Sequence, residues 1–393
     1  MNIAVMGAGN GGQAMAAYLA LKGSKVNLYN RSPLRIEAVK ENEGIYLSGV
    51  YNGFAKLNKV TTNLEKAVED TEIIMIVTPA VAHSSLAREL AWYLKDGQKI
   101  VLNPGRTGGA LEFYNTLKKY HCKADVQVLE TQTFIFASRV IGPAQARIYG
   151  IKEGVAIASF PGYQINLIIG KLKKIFPQFF PVPNVLRTGL NNIGAIFHPA
   201  PTLLNMAWIE STSGNFHYYH DGISPSVCKV ISKMDYERME VAYAFGFEPI
   251  SAEDWLRLSY NAHGKNLYEL LQNNGQYQRI SAPNSVSHRY ILEDVPMSLV
   301  PIASLGKMCN VNTPTIDMII NLANLVYGRD FRFEGRTVES LGITGLTRRE
   351  LLSLVNNGYT DKVRAYPGQN RNIVNRFEKL IYKNYMRYQE EVE

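Results

Sequence analysis

The sequence predicts two domains in series, a parallel α/β sheet domain followed by a domain built of helices. Three observations carry this expectation. The first half alternates short apolar runs with helical stretches, the pattern of βαβ units and a parallel sheet. A glycine cluster, Gly7-Ala8-Gly9-Asn10-Gly11-Gly12, falls where the first apolar run gives way to the first helix. The segment FPQFFPVP (176–183) then holds three prolines and marks a change to helical spacing. The length, 393 residues, suits two domains at roughly 100–200 residues each.

Element by element, Asn2–Met6 reads as a strand, Gln13–Lys22 as a helix carrying the small residues Ala14, Ala16 and Ala17, and Lys25–Tyr29 as a second strand. Pro33–Glu41 reads as a helix with proline in its first turn. The run EIIMIV, Glu72–Val77, is apolar throughout, as in a strand covered on both faces. Val81–Leu94 (helix), Lys99–Leu102 (strand), Gly109–Tyr120 (helix) and Asp125–Glu130 (strand) continue the alternation, and a strand-rich pattern extends to about Ser159. Beyond the prolines, Asn205–Thr212, Ser226–Phe245, Ala252–Ala262, Leu267–Asn273, Leu299–Met308, Pro314–Leu325 and Arg348–Val355 carry helical spacing. The expected domains are 1–182, 183–358 and a C-terminal extension, 359–393. In that extension Ile373, Phe377, Leu380 and Ile381 fall on one helical face among basic residues.

Composition narrows the function. Hydrophobic residues make up 46% and charged residues 19%, which is globular rather than disordered. No apolar run approaches the ~20 residues of a membrane span, and no signal peptide is expected. Cys122, Cys228 and Cys309 stand far apart without a C-x-x-C, which suits a reducing cytoplasm and argues against a zinc module. The net charge of +8 is spread along the chain, so small anionic ligands are expected rather than nucleic acid. His217 and His220 have helical i, i+3 spacing, but no third ligand is evident and no metal is expected.

The glycine cluster is a G-x-G-x-x-G closing a strand and opening a helix. Gly7 permits the tight turn, Gly9 lets a pyrophosphate approach the backbone, and Gly12 lets helix and strand pack closely. The helix N-terminus, with Asn10 and Gly11, then faces the phosphates. Thr78-Pro79 and Asn103 follow later strands at the same sheet edge, where ligands of open α/β sheets bind. The second strand ends in Asn30-Arg31-Ser32, with Arg35 one turn on. The acid that grips the ribose of NAD is missing at Asn30, so NADP(H) is expected over NAD(H).

Hydride transfer to or from such a cofactor needs a proton donor, and a carboxylate-held histidine is the usual one. Among seven histidines His198 stands out. It ends the run Asn191–Phe197 and precedes Pro199-Ala200-Pro201, which should stop a helix and leave the imidazole at its C-terminal end. Asp294, in a polar Pro-terminated segment, is the candidate carboxylate. By spacing alone, any single histidine is more often structural.

The glycine motif, residues 131–139 (TQTFIFASR), 191–205 (NNIGAIFHPAPTLLN), 289–296 (RYILEDVP), 299–301 (LVP) and 334–342 (EGRTVESLG) together resemble the octopine/nopaline (opine) dehydrogenase family, in order, from Met1 to about Val355. The resemblance implies an N-terminal Rossmann domain and an all-helical second domain like that of 6-phosphogluconate dehydrogenase. It also implies reductive condensation of an amino acid amine with a 2-oxo acid. It makes His198 the general acid/base and Asp294 its orienting partner. Both substrates carry a carboxylate, so Arg139, expected at the end of a first-domain strand, Arg289, close to Asp294, and Thr133 are the substrate-binding candidates. A homodimer is the expected assembly. Two other readings stay open here: a reductase of the 2-hydroxy-acid, ketopantoate or glycerol-3-phosphate type, and a dinucleotide-sensing protein without turnover.

Overall fold

The computed structural model describes residues 1–278 and 280–359. These divide into a first unit, Met1–Thr188 with Val355–Tyr359, and a second, Gly189–Leu354. The basic helix expected within 359–393 lies outside the described residues apart from Tyr359.

The first unit opens with β1 (Asn2–Met6), α1 (Asn10–Leu21) and β2 (Lys25–Tyr29). There follow α2 (Glu37–Glu41), β3 (Gly44–Gly49), β4 (Gly53–Lys56), β5 (Lys59–Thr61), α3 (Leu64–Val68), β6 (Ile73–Ile76), α4 (His83–Leu90) and β7 (Lys99–Leu102). Then come α5 (Gly109–Lys119), β8 (Gln127–Thr131), β9 (Phe136–Gly142), β10 (Gln145–Ile151), β11 (Val155–Phe160), α6 (Ile165–Ile175), β12 (Phe179–Pro181) and α7 (Val185–Leu190). The main sheet runs β12-β11-β8-β7-β6-β1-β2-β5. β1 pairs in parallel with β2 on one side and β6 on the other, so the strand order reverses at β1. Such a switch point opens a ligand crevice at the carboxyl ends of the strands.

A second sheet, β4-β3-β10-β9, is not among the sequence expectations. It accounts for the alanines of α1. That helix is buried from Gly12 to Leu19 and shares one core with residues of both sheets, including Val5 and Leu28 from one and Ile45, Ala146 and Ile148 from the other. A helix covered all round needs small side chains where it meets a sheet. The expected helix Pro33–Glu41 is a single 3₁₀ turn, Pro33–Arg35, and then the short α2, because Ile36 leaves helical geometry between them (φ −123°, ψ −2°).

The second unit is helical: α8 (Gly194–Phe197), α9 (Pro199–Leu204), α10 (Met206–Thr212), α11 (Pro225–Ala244), α12 (Ala252–Tyr260), α13 (Leu267–Gln272), α14 (Arg289–Leu292), α15 (Val300–Met308), α16 (Pro314–Tyr327), α17 (Phe331–Glu334) and α18 (Arg348–Asn357). α11 starts with Ser224 accepting the Val227 N–H and Pro225 in the first turn, a favoured helix start. Inside it, fully buried Arg238 pairs with Asp235 at 2.6 Å and donates to the carbonyls of Leu190 and Ile250. A guanidinium taken out of water needs its donors filled, and here they fix the chain that leads to His198.

Candidate active site

The first unit builds a dinucleotide loop between β1 and α1. Gly7 has φ +108°, and a Cβ there would stand 3.0 Å from the Val77 carbonyl oxygen. A Cβ on Gly12 would stand 1.7 Å from the Gly7 carbonyl oxygen, so neither position accepts a side chain. Gly9 is different. A Cβ there would meet nothing within 4 Å, which is the open approach a pyrophosphate requires. Gly11 packs against the Phe134 ring. The N-terminus of α1 has no side-chain cap and no acid in its first turn, so its N–H groups suit an anion. At the same sheet edge, the Thr78 hydroxyl and the Asn103 Oδ1 are buried without a hydrogen-bond partner among the described residues, while Asn103 Nδ2 donates to the Val101 carbonyl. Buried polar atoms of this kind fit a ligand's hydroxyl or amide. The loop therefore fits a dinucleotide on its own geometry.

The other nucleotide candidates divide by what they touch. Asn30 accepts the Ala8 N–H at 3.0 Å and donates to the Ser32 carbonyl, so it clamps the loop to the end of β2. Asn10 Oδ1 accepts the Val140 N–H at 2.9 Å, which ties the start of α1 to β9. Arg31, Ser32 and Arg35 are exposed, and among the described residues no ion pair engages either arginine. Pro79 is exposed at the end of β6, and Thr133 is half-buried in the bend after β8.

In the second unit His198 Nδ1 lies 2.8 Å from Asp294 Oδ2; the histidine side chain is 19% exposed and the aspartate 0%. Asp294 can only accept this bond when ionised, so the imidazole carries its proton on Nδ1 and leaves Nε2 for chemistry. Two hydroxyls pin the His198 carbonyl, Tyr218 at 2.6 Å and Thr202 at 2.8 Å. The ring of Tyr290 stacks on the imidazole, with centroids 4.1 Å apart and planes 13° apart. Asp294 sits where α14 gives way to a π turn, Val295–Leu299; Pro296 supplies no N–H to a regular ladder there. Asn192 Nδ2 donates to Ser298 Oγ at 2.8 Å and so joins the chain before His198 to the turn after Asp294.

Three sequence expectations need correction. A helix does end at His198, as expected, but it is the four-residue α8, and Pro199 and Pro201 open α9 directly after it. With one helix ending and another beginning at His198, no single helix dipole faces it, and the Asp294 carboxylate is the group its ring bonds. Arg139 is not at a strand end. It lies mid-strand in β9, exposed and opposite Arg147, on the face turned away from Ser138 and Val140, which meet α1. Arg289 is not a free cation, because its guanidinium pairs with buried Glu293 at 3.0 Å while staying 54% exposed itself. Tyr290, Tyr218, Thr202, Asn192 and Ser298 are not among the expected site residues. Tyr290 and Asp294 stand four apart, the helical spacing that shares a face, and that spacing is the signal for the tyrosine.

Outside these two sites, His217 and His220 both contact Asp221, whose carboxyl is held below its usual range by the His217 N–H and then by the His220 ring. Burial pushes the Cys228 thiol up to about 12, which leaves it inert at neutral pH. No described group of histidines, cysteines and carboxylates could hold a metal ion.

A hydride carrier's loop in one unit and a carboxylate-held histidine in the other divide the work as an NAD(P)-dependent oxidoreductase does. The comparisons narrow that class. Residues 181–327 match the family model of the NAD/NADP octopine/nopaline dehydrogenase alpha-helical domain, and residues 2–106 match that of the NAD-dependent glycerol-3-phosphate dehydrogenase N-terminus. An opine dehydrogenase of Arthrobacter sp. (strain 1C) is 40% identical over 353 residues, which is 90% of this chain and 98% of the relative. The chain belongs to the opine dehydrogenase family. The solved structure of octopine dehydrogenase with NADH and L-arginine shares the fold at a TM-score of 0.74 and 18% identity, over 92% of this chain and 100% of that one. So does yersinopine dehydrogenase with NADP+ bound, at 0.70 and 17%, over 91% and 97%.

Proposed function

We propose that the protein joins the amine of an amino acid to a 2-oxo acid such as pyruvate and reduces the product to an N-(carboxyalkyl) amino acid, with His198 moving the protons. The single observation that carries this role is the 2.8 Å bond from His198 Nδ1 to the fully buried Asp294. When bound, NAD(P)H supplies the hydride that reduces the imine carbon. Before that step, the protonated Nε2 of His198 gives a proton to the keto oxygen as the amine nitrogen attacks the carbon. The Nε2 freed by that transfer takes a proton from the attacking nitrogen and passes it to the carbinolamine hydroxyl, which leaves as water as nitrogen and carbon are joined as a protonated imine. Asp294 stabilises the imidazolium between these transfers and holds Nδ1–H in place. In the oxidative direction the neutral Nε2 takes the proton back.

Arg289 is the favoured anchor for a substrate carboxylate. It starts the short helix that carries Tyr290, whose ring lies on His198, and one ion pair to Glu293 leaves guanidinium donors over. Arg139, on the outer face of β9, is the weaker candidate, and Thr133 at the end of β8 completes the proposed set. Exposed Arg31 and Arg35, which no ion pair engages among the described residues, with no acid at Asn30, support NADP(H) over NAD(H). The related structures carry NADH in one case and NADP+ in another. Three separate thiols support a cytoplasmic setting. A homodimer is the proposed assembly, checked by mass in solution.

Replacing His198 with Ala is expected to lower kcat by roughly 10²–10⁴-fold and to leave the Kd for reduced cofactor unchanged. A kcat in that variant within about threefold of wild type overturns the assignment.

A further inference from the structure

We infer that Tyr290 is a positioning residue that holds the His198 imidazole in its working orientation. The inference rests on the reading of His198 as the proton carrier. A hydrogen bond at Nδ1 fixes one edge of the ring but leaves the ring free to swing about that contact. The Tyr290 ring, 4.1 Å away and within 13° of parallel, closes one face against that swing. The Tyr218 hydroxyl, bonded to the His198 carbonyl, and the Thr202 hydroxyl, 2.8 Å from both the carbonyl and the tyrosine oxygen, fix the backbone end. With edge, face and backbone held, Nε2 has one direction left.

Both ring contacts come from one stretch of chain. Tyr290 and Asp294 are separated by one helical turn, so the segment grips the imidazole by face and by edge together. Tyr290 is itself braced. Its N–H donates to His288 Nδ1 at 3.4 Å, the His288 ring stands edge-on to it at 4.5 Å, and the Tyr218 ring leans on it at 5.1 Å. An electron-rich ring parallel to the imidazole also suits the imidazolium that forms when the proton is held.

The test is a mutant cycle read against the His198 variant. Tyr290→Leu removes the stack and is expected to lower kcat about 10- to 100-fold, with substrate KM and cofactor Kd within about twofold of wild type. Tyr290→Phe keeps the ring and should recover most of that loss. In a His198→Ala background, Tyr290→Leu should change kcat by less than about twofold, because the two act as one unit. A KM effect with kcat intact makes Tyr290 a substrate contact and overturns the inference. So do losses that multiply in the double variant. If His198→Ala alone leaves kcat intact, the proton-carrier reading falls instead, and the two failures are thereby distinguished. If Tyr290→Leu does not fold, proton NMR of the wild type decides: the carbon-bound ring protons of His198 should be displaced upfield by the stacked phenol, and ordinary histidine shifts overturn the inference.

Discussion

Nδ1 of His198 and Oδ2 of Asp294 meet at 2.8 Å across 96 residues of sequence, with the carboxylate excluded from water. The bond sets the tautomer and the orientation of the imidazole at once. Asp294→Asn keeps the shape but can present an N–H where an acceptor is needed. It is expected to lower kcat roughly 10²–10⁴-fold while cofactor binding by the first unit is retained. Steady-state rates beside a fluorescence titration of the reduced cofactor check both halves. A variant that turns over normally contradicts the role given to the pair.

The glycine loop separates packing from ligand approach in two substitutions. Gly12→Ala forces a methyl to 1.7 Å from the Gly7 carbonyl oxygen, so the backbone must move. It should destabilise the protein by about 3 kcal/mol or more, seen as a drop in Tm of several degrees. Gly9→Ala meets no protein atom within 4 Å and has a backbone alanine can adopt (φ −78°, ψ −166°). Its Tm should match the wild type, while KM for the cofactor rises at least about tenfold. Equal effects of the two on Tm would contradict the open approach at Gly9.

Arg31 tests the cofactor preference. A charge-assisted bond to a 2′-phosphate is worth roughly 1.5–3 kcal/mol, or about 10- to 150-fold in affinity. Wild type should have the higher kcat/KM with NADPH, and Arg31→Ala should lower the NADPH to NADH ratio by about that factor. A wild-type preference for NADH, or a ratio unmoved by the substitution, removes the argument from the end of β2.

Lys152 gives a pH dependence of stability. Its Nζ donates to the Phe134 carbonyl at 2.6 Å, and burial pushes its ammonium down to about 8 from its ordinary 10.5. The folded state therefore binds fewer protons than the unfolded chain between pH 8 and 10.5, and stability gained from this group rises with pH across that window. Below it the cost of enclosing the charge is fully present. Lys152→Met has no such cost, so its stability relative to wild type should fall by about 1–2 kcal/mol from pH 8 to 10.5, allowing for a side chain that is only half-buried. Denaturant midpoints at the two pH values read this directly, and a difference independent of pH contradicts it.

The main sheet is legible because its strands are covered on both faces. Ile73–Ile76 and Lys99–Leu102 are short unbroken apolar runs bounded by turn residues. β3 and β4 are not legible. Glycines stand at their ends (Gly44, Gly49 and Gly53), and one face is exposed, with Tyr46 57% and Phe54 43% accessible. His198 is visible through the prolines beside it, which follow the end of α8 and start α9. Its partner is not visible by spacing, because a contact across 96 residues is made by folding and not by local pattern. Arg289 and Glu293 stand at i, i+4, so their ion pair, unlike the contact of His198 with Asp294, is legible from spacing. Tyr290 is the residue that closer attention to i, i+4 spacing recovers.

The most direct measurement follows oxidation of NADPH and NADH with pyruvate as the 2-oxo acid, with and without a panel of amino acids. Turnover is expected only when an amino acid is added, with an N-(carboxyalkyl) amino acid as the product by mass spectrometry. The rate should collapse in His198→Ala. Equal turnover with pyruvate alone, giving the hydroxy acid, would contradict reductive condensation as the reaction of this site.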